Sequence, residues 1–178
     1  MNVVFGADIG GTDIKLGMFQ EDGRLLSKWL IPTRMEDNGR LIFDDIASEI
    51  KNKMQEKSVS SQCVLGIGCG FPAPVDNRSF VRNCVNLGIK DIYPGKEMEK
   101  RMPGLIVRIG NDANIAALGE MWQGSGQGRR NLLLVTLGTG VGSGIVIDGK
   151  IVSGRHGIAG EIGHFMVDPL ETEHCSCG

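Results

Sequence analysis

Apolar residues in this chain fall mostly into short runs cut by glycine and proline, and in one longer stretch they recur every fourth position. Asn2 to Ile9 is apolar and β-branched enough for a strand, which Gly10-Gly11-Thr12 turns sharply. Ile14 to Phe19 alternates like a returning strand, Asp22-Gly23 is a strong hairpin turn, and Leu25 to Ile31 reads as a third strand ended by Pro32. From Leu41 to Lys57 the positions Ile42, Ile46, Ile50 and Met54 predict a helix with one buried stripe. Cys63 to Gly70 reads as a buried strand leading into a Pro72-Ala73-Pro74 loop. A short strand over Phe80 to Cys84 and a helix near Gly95 to Arg101 follow. Leu105 to Ile109 is a further strand, ending at Gly110-Asn111-Asp112 ahead of a helix over Ala113 to Trp122.

The polar, glycine-rich stretch Gly124 to Arg130 is the best candidate for a lobe boundary, dividing the chain into 1–123 and 124–178. Beyond it, Asn131 to Ser153 reads as a second strand-turn-strand-turn-strand meander, with Leu132 to Val135 as a short buried strand. This meander echoes the first. Asp8-Ile9-Gly10-Gly11-Thr12 recurs as Thr136-Leu137-Gly138-Thr139-Gly140, 128 positions on, and Asp22-Gly23 as Asp148-Gly149, 126 positions on. So long a period is not that of a solenoid; it suggests two related halves.

Composition narrows the classes. The 178 residues suit one ordinary domain with a real core. Lys+Arg 19 against Asp+Glu 21, with no block of one sign, argues against a nucleic-acid surface, which needs a basic stripe. No apolar run approaches the roughly 20 residues of a membrane helix, and the first ten residues lack the features of a secretory leader. Cys63, Cys69 and Cys84 lie in or beside apolar strands, as reduced thiols do, so a cytoplasmic protein is expected. The 27 glycines, roughly twice the average usage of about 7%, gather in particular loops.

Two of those loops follow strands. Small residues in a hairpin turn leave backbone N–H groups free to converge on an anion, and glycine permits close approach. Thr12 and Thr139 add hydroxyl donors and Lys15 a charge, while Asp8 suits Mg²⁺, held through water, rather than phosphate. Either loop alone reads first as a tight structural turn; a pair can enclose a polyphosphate between lobes. Asp112, at a strand end before a helix, suits either a helix cap or a base taking the proton of an attacking hydroxyl. Glu161 and His164 lie three apart, so one helical turn would present both on a single face.

The ordered set of motifs resembles the ROK family of sugar kinases, which have the actin-like ATPase (ribonuclease H-like) α/β fold. Asp8-Ile9-Gly10-Gly11-Thr12 looks like the first phosphate motif, and Thr136-Leu137-Gly138-Thr139-Gly140-Val141-Gly142 like the second. Asn111-Asp112-Ala113-Asn114 resembles the segment whose aspartate is the family's catalytic base. Gly157-Ile158-Ala159-Gly160-Glu161-Ile162-Gly163-His164 is the sharpest match; its glutamate and histidine serve sugar hydroxyls, and the histidine also zinc. Gly70-Phe71-Pro72-Ala73-Pro74-Val75-Asp76 is similar to the loop near the sugar, with Ala73 in place of glycine. Asn86-Leu87-Gly88 resembles a segment carrying another sugar contact.

The resemblance implies two duplicated lobes, the second incomplete, that close around a sugar and Mg-ATP, and a homodimer. ATP and Mg²⁺ would be held by Asp8, Gly10, Gly11, Thr12, Lys15, Thr136, Gly138, Thr139 and Gly140. The sugar would be held by Pro72, Ala73, Asn86, Asn111, Asp112, Glu161 and His164, with Asp112 as base. His164, Cys175 and Cys177 would bind a structural zinc whose fourth ligand the family supplies a little further on. The kinases of the family continue beyond Gly178, so the chain is expected to be a fragment with an intact first lobe. Phosphorylation of a hexose, glucose first, is the implied activity; fructose, N-acetylmannosamine, N-acetylglucosamine and allose kinases share the pattern. Two other classes stand beside it. The family's repressors carry a DNA-binding segment before the first phosphate motif, for which a strand starting at Asn2 leaves no room. A catalytically inactive sugar-binding module is the other.

Overall fold

A computed structural model describes residues 1–138, 140–170 and 172. Among the described residues ten strands and three α-helices follow one another as β1 (Val3–Ile9), β2 (Asp13–Gln20), β3 (Leu25–Pro32), α1 (Arg40–Glu56), β4 (Val64–Phe71), β5 (Val81–Cys84), β6 (Ile89–Ile92), α2 (Pro94–Arg101), β7 (Val107–Asn111), α3 (Asp112–Gln123), β8 (Leu132–Leu137), β9 (Val141–Ile147) and β10 (Lys150–Ile151). The main sheet has the order β3-β2-β1-β4-β7. Its first three strands form an antiparallel meander, and β1, β4 and β7 run parallel.

Alternation sorts the residues of β1 and β2. Val3, Phe5, Ala7 and Ile9, with Ile14, Leu16 and Met18, face a core closed by Ile42, Phe43, Ile46, Ala47 and Ile50 of α1 and Met98 of α2. The fourfold period of α1 is thus its buried stripe, widened by Phe43 and Ala47. Gly39 caps α1 with φ 72°, a left-handed backbone that favours glycine, and its missing side chain leaves room for the tip of Ile89. On the opposite face of the sheet Gly17, Gly6 and Gly68 stand in register across three strands and form a glycine floor, with the Phe19 ring lying over Gly17.

The smaller sheet, β10-β9-β8, repeats the order and antiparallel sense of β3-β2-β1. The two meanders differ at their outer turns. Asp148 and Gly149 both have positive φ (51° and 78°), making a two-residue turn between Ile147 and Lys150. In the first meander only Gly23 (φ 90°) is left-handed, and the turn is longer, with a register shift at Phe19.

Helix α3 joins the sheets. A Cβ on Gly144 would lie 2.6 Å from both the Ala113 carbonyl oxygen and Ala117 Cβ, and Ala113 Cβ is 3.6 Å from where one on Gly142 would stand. Small residues on both sides therefore set the helix-to-strand distance. At its other end Gln123 Nε2 donates to the Asp22 carbonyl at 2.7 Å, tying the helix to the β2–β3 turn.

Several expectations shift. Leu132 to Val135 is not buried: Leu133 is 60% and Val135 43% exposed, because α3 covers only the opposite face of β8. The strand expected over Leu105 to Ile109 runs from Val107 to Asn111, where pairing with β4 sets its limits. Strand β6 had no signal: Lys90-Asp91 interrupts its apolar residues, and hairpin pairing with β5 creates it. Cys63 sits in a 3-10 turn before β4, while Cys69 and Cys84 are fully buried thiols that burial pushes up to about 12 and about 11.

The spacing between α3 and β9 can be tested directly. Gly144→Ala is expected to cost about 1–3 kcal/mol, since backbone on one side must give way to the added methyl. Denaturant unfolding would show it as a lowered midpoint; an unchanged midpoint would mean the helix can retreat freely.

Candidate active site

The parallel strands end together at one edge of the sheet, where open α/β sheets present ligands. Asp8 near the end of β1 pairs with Gly70 of β4, which pairs with Gly110 of β7; Asn111 and Asp112 follow at once. Nothing larger than glycine separates Asp8 from Asp112, and a Cβ on Gly70 would stand 3.5 Å from Asp112 Cα. Asp8, Lys15, Gly70 and Asp112 line one end of a groove of about 1440 Å³ between the glycine floor and α3, walled further along by Ile115, Leu118 and Trp122.

Asn111 and Asp112 divide the work at the head of α3. The cap is Asn111, whose side-chain oxygen accepts from the Asn114 amide at 3.0 Å. Its Nδ2 donates to Asp112 Oδ1 at 3.0 Å and to the Ala73 carbonyl at 3.4 Å. Asp112 is the first helical residue, and its Oδ1 also accepts from the Ala113 amide at 2.8 Å. Its carboxyl is held above the ordinary value of 3.8, first by burial and then, against those hydrogen bonds, by the negative charge of Asp8. Capping thus falls to the neighbour, which leaves Asp112 a half-buried, more basic carboxylate.

The first glycine loop is tight and braced. Gly10 N donates to the Asp13 carbonyl at 3.0 Å, and a Cβ on Gly10 would reach that oxygen at 2.7 Å. Thr33, which carried no signal in the sequence, holds the loop from behind: its hydroxyl donates to Gly10 O at 2.7 Å and its amide to Thr12 O at 2.8 Å. Gly11 and Thr12 are exposed. Lys15 and Asp8, opposite each other on β2 and β1, form an exposed ion pair at 2.9 Å. The second loop joins β8 to β9; Gly138 N donates to Gly140 O at 3.0 Å, and, chain neighbours aside, no described residue comes within 4 Å of where a Cβ on either glycine would stand. Thr136 is the penultimate residue of the strand before it, and Thr139 lies outside the described residues.

The sugar candidates come from three further segments. Ala73 and Val75 of the Pro72–Asp76 loop are buried, and Cys84 Sγ donates to the Pro72 carbonyl at 3.6 Å. Asp76 closes the loop by accepting from the Arg78 and Phe80 amides at 2.8 and 2.9 Å. Asn86 is exposed beside the first glycine loop, its carbonyl 3.6 Å from where a Cβ on Gly11 would lie. Gly157 (φ 76°) packs so closely on Val75 that a Cβ would meet its carbonyl oxygen at 2.2 Å. Glu161 and His164 then share one short 3-10 turn, with Oε2 and Nε2 3.9 Å apart.

With this geometry, comparison with known proteins is informative. The model of the ROK family matches residues 4–178. The chain belongs to the ROK family. It is 44% identical to a glucokinase from Halalkalibacterium halodurans over 97% of its own length and 52% of that protein's. The crystal structure of a ROK family glucokinase from Streptomyces griseus in complex with glucose and AMPPNP superposes with TM-score 0.81 and 37% identity, covering 94% of this chain and 52% of that one. A ROK family transcriptional regulator, a homolog of the E. coli MLC protein, superposes with TM-score 0.83 at 27% identity over 99% of this chain and 44% of that one. This ROK chain spans about half the length of the curated relatives it matches. Its mixed α/β structure is the actin-like fold that the resemblance implied.

The Asp8 carboxylate offers the oxygen donors that a hard divalent cation such as Mg²⁺ takes. Zinc stands differently. Cys175 and Cys177 lie outside the described residues, and among the described residues no three His, Cys, Asp or Glu side chains gather as a metal site.

The coupling between the two carboxylates has a measurable sign. Removing the charge in Asp8→Asn takes away a repulsion that disfavours ionised Asp112, so its titration midpoint is expected to fall. Carboxyl-detected NMR titration would show this; an unmoved midpoint would mean that the Asp8 charge does not reach Asp112.

Proposed function

We propose that this chain carries the catalytic aspartate and both phosphate loops of an ATP-dependent hexose kinase, with glucose as the first substrate to test. The observation that carries the reading is Asp112: half-buried, relieved of capping by Asn111, and raised in basicity at the edge where β1, β4 and β7 end. In this reading Asp112 accepts the proton of the sugar's primary hydroxyl as that oxygen attacks the γ-phosphorus of ATP, and ADP leaves with the bridging oxygen. Phosphoryl transfer asks the protein mainly for positioning and charge neutralisation. Mg²⁺, held by Asp8 through water, would neutralise phosphate charge. Gly10, Gly11 and Thr12 on one side, and Thr136, Gly138, Thr139 and Gly140 on the other, would present backbone and hydroxyl donors to the phosphates, with Lys15 adding a positive charge.

Pro72, Ala73, Asn86, Asn111, Glu161 and His164 would orient the sugar. Their assignment is supported by the contacts that gather their segments: Asn111 onto Ala73, Gly157 onto Val75, and Gly11 beside Asn86. The glucose preference rests on the glucokinase relatives; residues 1–123 and 124–178 would be the two lobes' contributions. A homodimer, a cytoplasmic location and the structural zinc belong to the same proposal.

Asp112→Asn is expected to lower the rate of glucose phosphorylation by at least the roughly 100- to 10,000-fold that general-base catalysis supplies. Glucose affinity should stay nearly unchanged, because the amide keeps shape and hydrogen-bonding capacity. A coupled assay with ATP and a hexose panel, together with calorimetric glucose binding, checks both, in this chain and in the longer protein. Retained turnover would overturn the base assignment. Sugar binding without turnover in the unsubstituted longer protein would favour the regulator or binding-module class instead.

A further inference from the structure

Segment Gly157–His164 meets β9 at two points where no side chain fits. A Cβ on Gly160 would stand 2.9 Å from the Ser143 carbonyl oxygen, and one on Gly163 2.3 Å from that of Val141. Ser143, between these contacts, is a polar residue in a crowded place. It is 5% exposed, although Val135, its partner across the β8–β9 ladder, is 43% exposed. The covering comes from the Gly160 segment, and the Ser143 hydroxyl donates to the Gly160 carbonyl oxygen. That same oxygen accepts from the Ile162 amide at 2.7 Å, and the His164 amide donates to the Glu161 carbonyl at 3.2 Å. The hydroxyl's only proton is used in this bond, so Ser143 has none left to offer a phosphate. Buried polar groups hold position best when their partners are fixed, and Gly160 directly precedes Glu161.

We propose that Ser143 is a positioning residue for the sugar half of the site: it anchors the Glu161–His164 turn to the strand that begins at the second phosphate loop. Through it, the groups that would face the sugar and the loop that would face the nucleotide are parts of one rigid unit. The consequence for sugar binding rests on the kinase reading; the anchoring itself does not.

Ser143→Ala separates the two. Amide hydrogen exchange at Ile162 and His164 is expected to quicken by about tenfold, the effect of one ordinary hydrogen bond, while amides of the β8–β9 ladder keep their rates. Unchanged exchange at the turn would overturn the proposal, as would equal quickening throughout β8 and β9, which is the mark of general destabilisation. On the same samples, calorimetry should show glucose binding weakened about tenfold and binding of a non-hydrolysable ATP analogue unchanged. Combined with Glu161→Gln, the loss in glucose affinity should be less than additive, because both changes act through one carboxylate. Full additivity would overturn the route through Glu161. If the unsubstituted protein binds no glucose, the kinase reading fails for this chain, and the exchange rates still decide whether Ser143 anchors the turn.

Discussion

The closeness of α3 to β9 is the constraint on which the remaining arrangement depends. Ala113 and Ala117 on the helix meet Gly142 and Gly144 on the strand, and at Gly144 there is no space for even a methyl group. That contact holds the smaller sheet on one side of α3, while the head of the same helix follows β7 without a break. One helix therefore carries Asp112 and sets where the second glycine loop and the Gly157–His164 segment stand relative to it. A bulkier pair at this crossing would push the smaller sheet outward and carry Glu161 and His164 with it, since both hang on β9 through Gly160 and Gly163.

The site is assembled from strand ends and brought together by missing side chains. Gly70 separates Asp8 from Asp112, Gly157 lets the last segment settle on Val75, and Gly160 and Gly163 let it lie on β9. Charge then follows from placement. Burial at the helix head and the nearby Asp8 carboxylate both raise Asp112, and the hydrogen bonds from Asn111 and Ala113 oppose them without winning. A carboxylate raised in this way is more basic than one in water, which suits proton acceptance from a hydroxyl.

Much of this was legible in the chain. The fourfold period of α1, the alternation of β1 to β3 and the echo between the two meanders are local patterns. They survive into the structure because the buried face of each element is written in its own residues. Other features were not legible. Asn111 and Asp112 are both capable caps, and only the hydrogen bond from the Asn114 amide shows which of them caps. The two Asp-Gly turns look alike in sequence and differ in backbone, because the flanking strands impose different registers. Thr33 and Ser143 lie in unremarkable polar positions; their partners, Gly10 and Gly160, are 23 and 17 residues away.

By itself the sequence determined the kinds and order of most elements, β6 excepted, and which chemically capable residues stand at the strand ends and loops, because these depend on periodicity and on side-chain chemistry. Tertiary structure decided which face of β8 stays exposed, which of two adjacent residues caps α3, how basic Asp112 becomes and what anchors the Glu161–His164 turn. The cap is settled by backbone geometry within three residues, and the others by groups distant in the chain that meet only in the folded molecule.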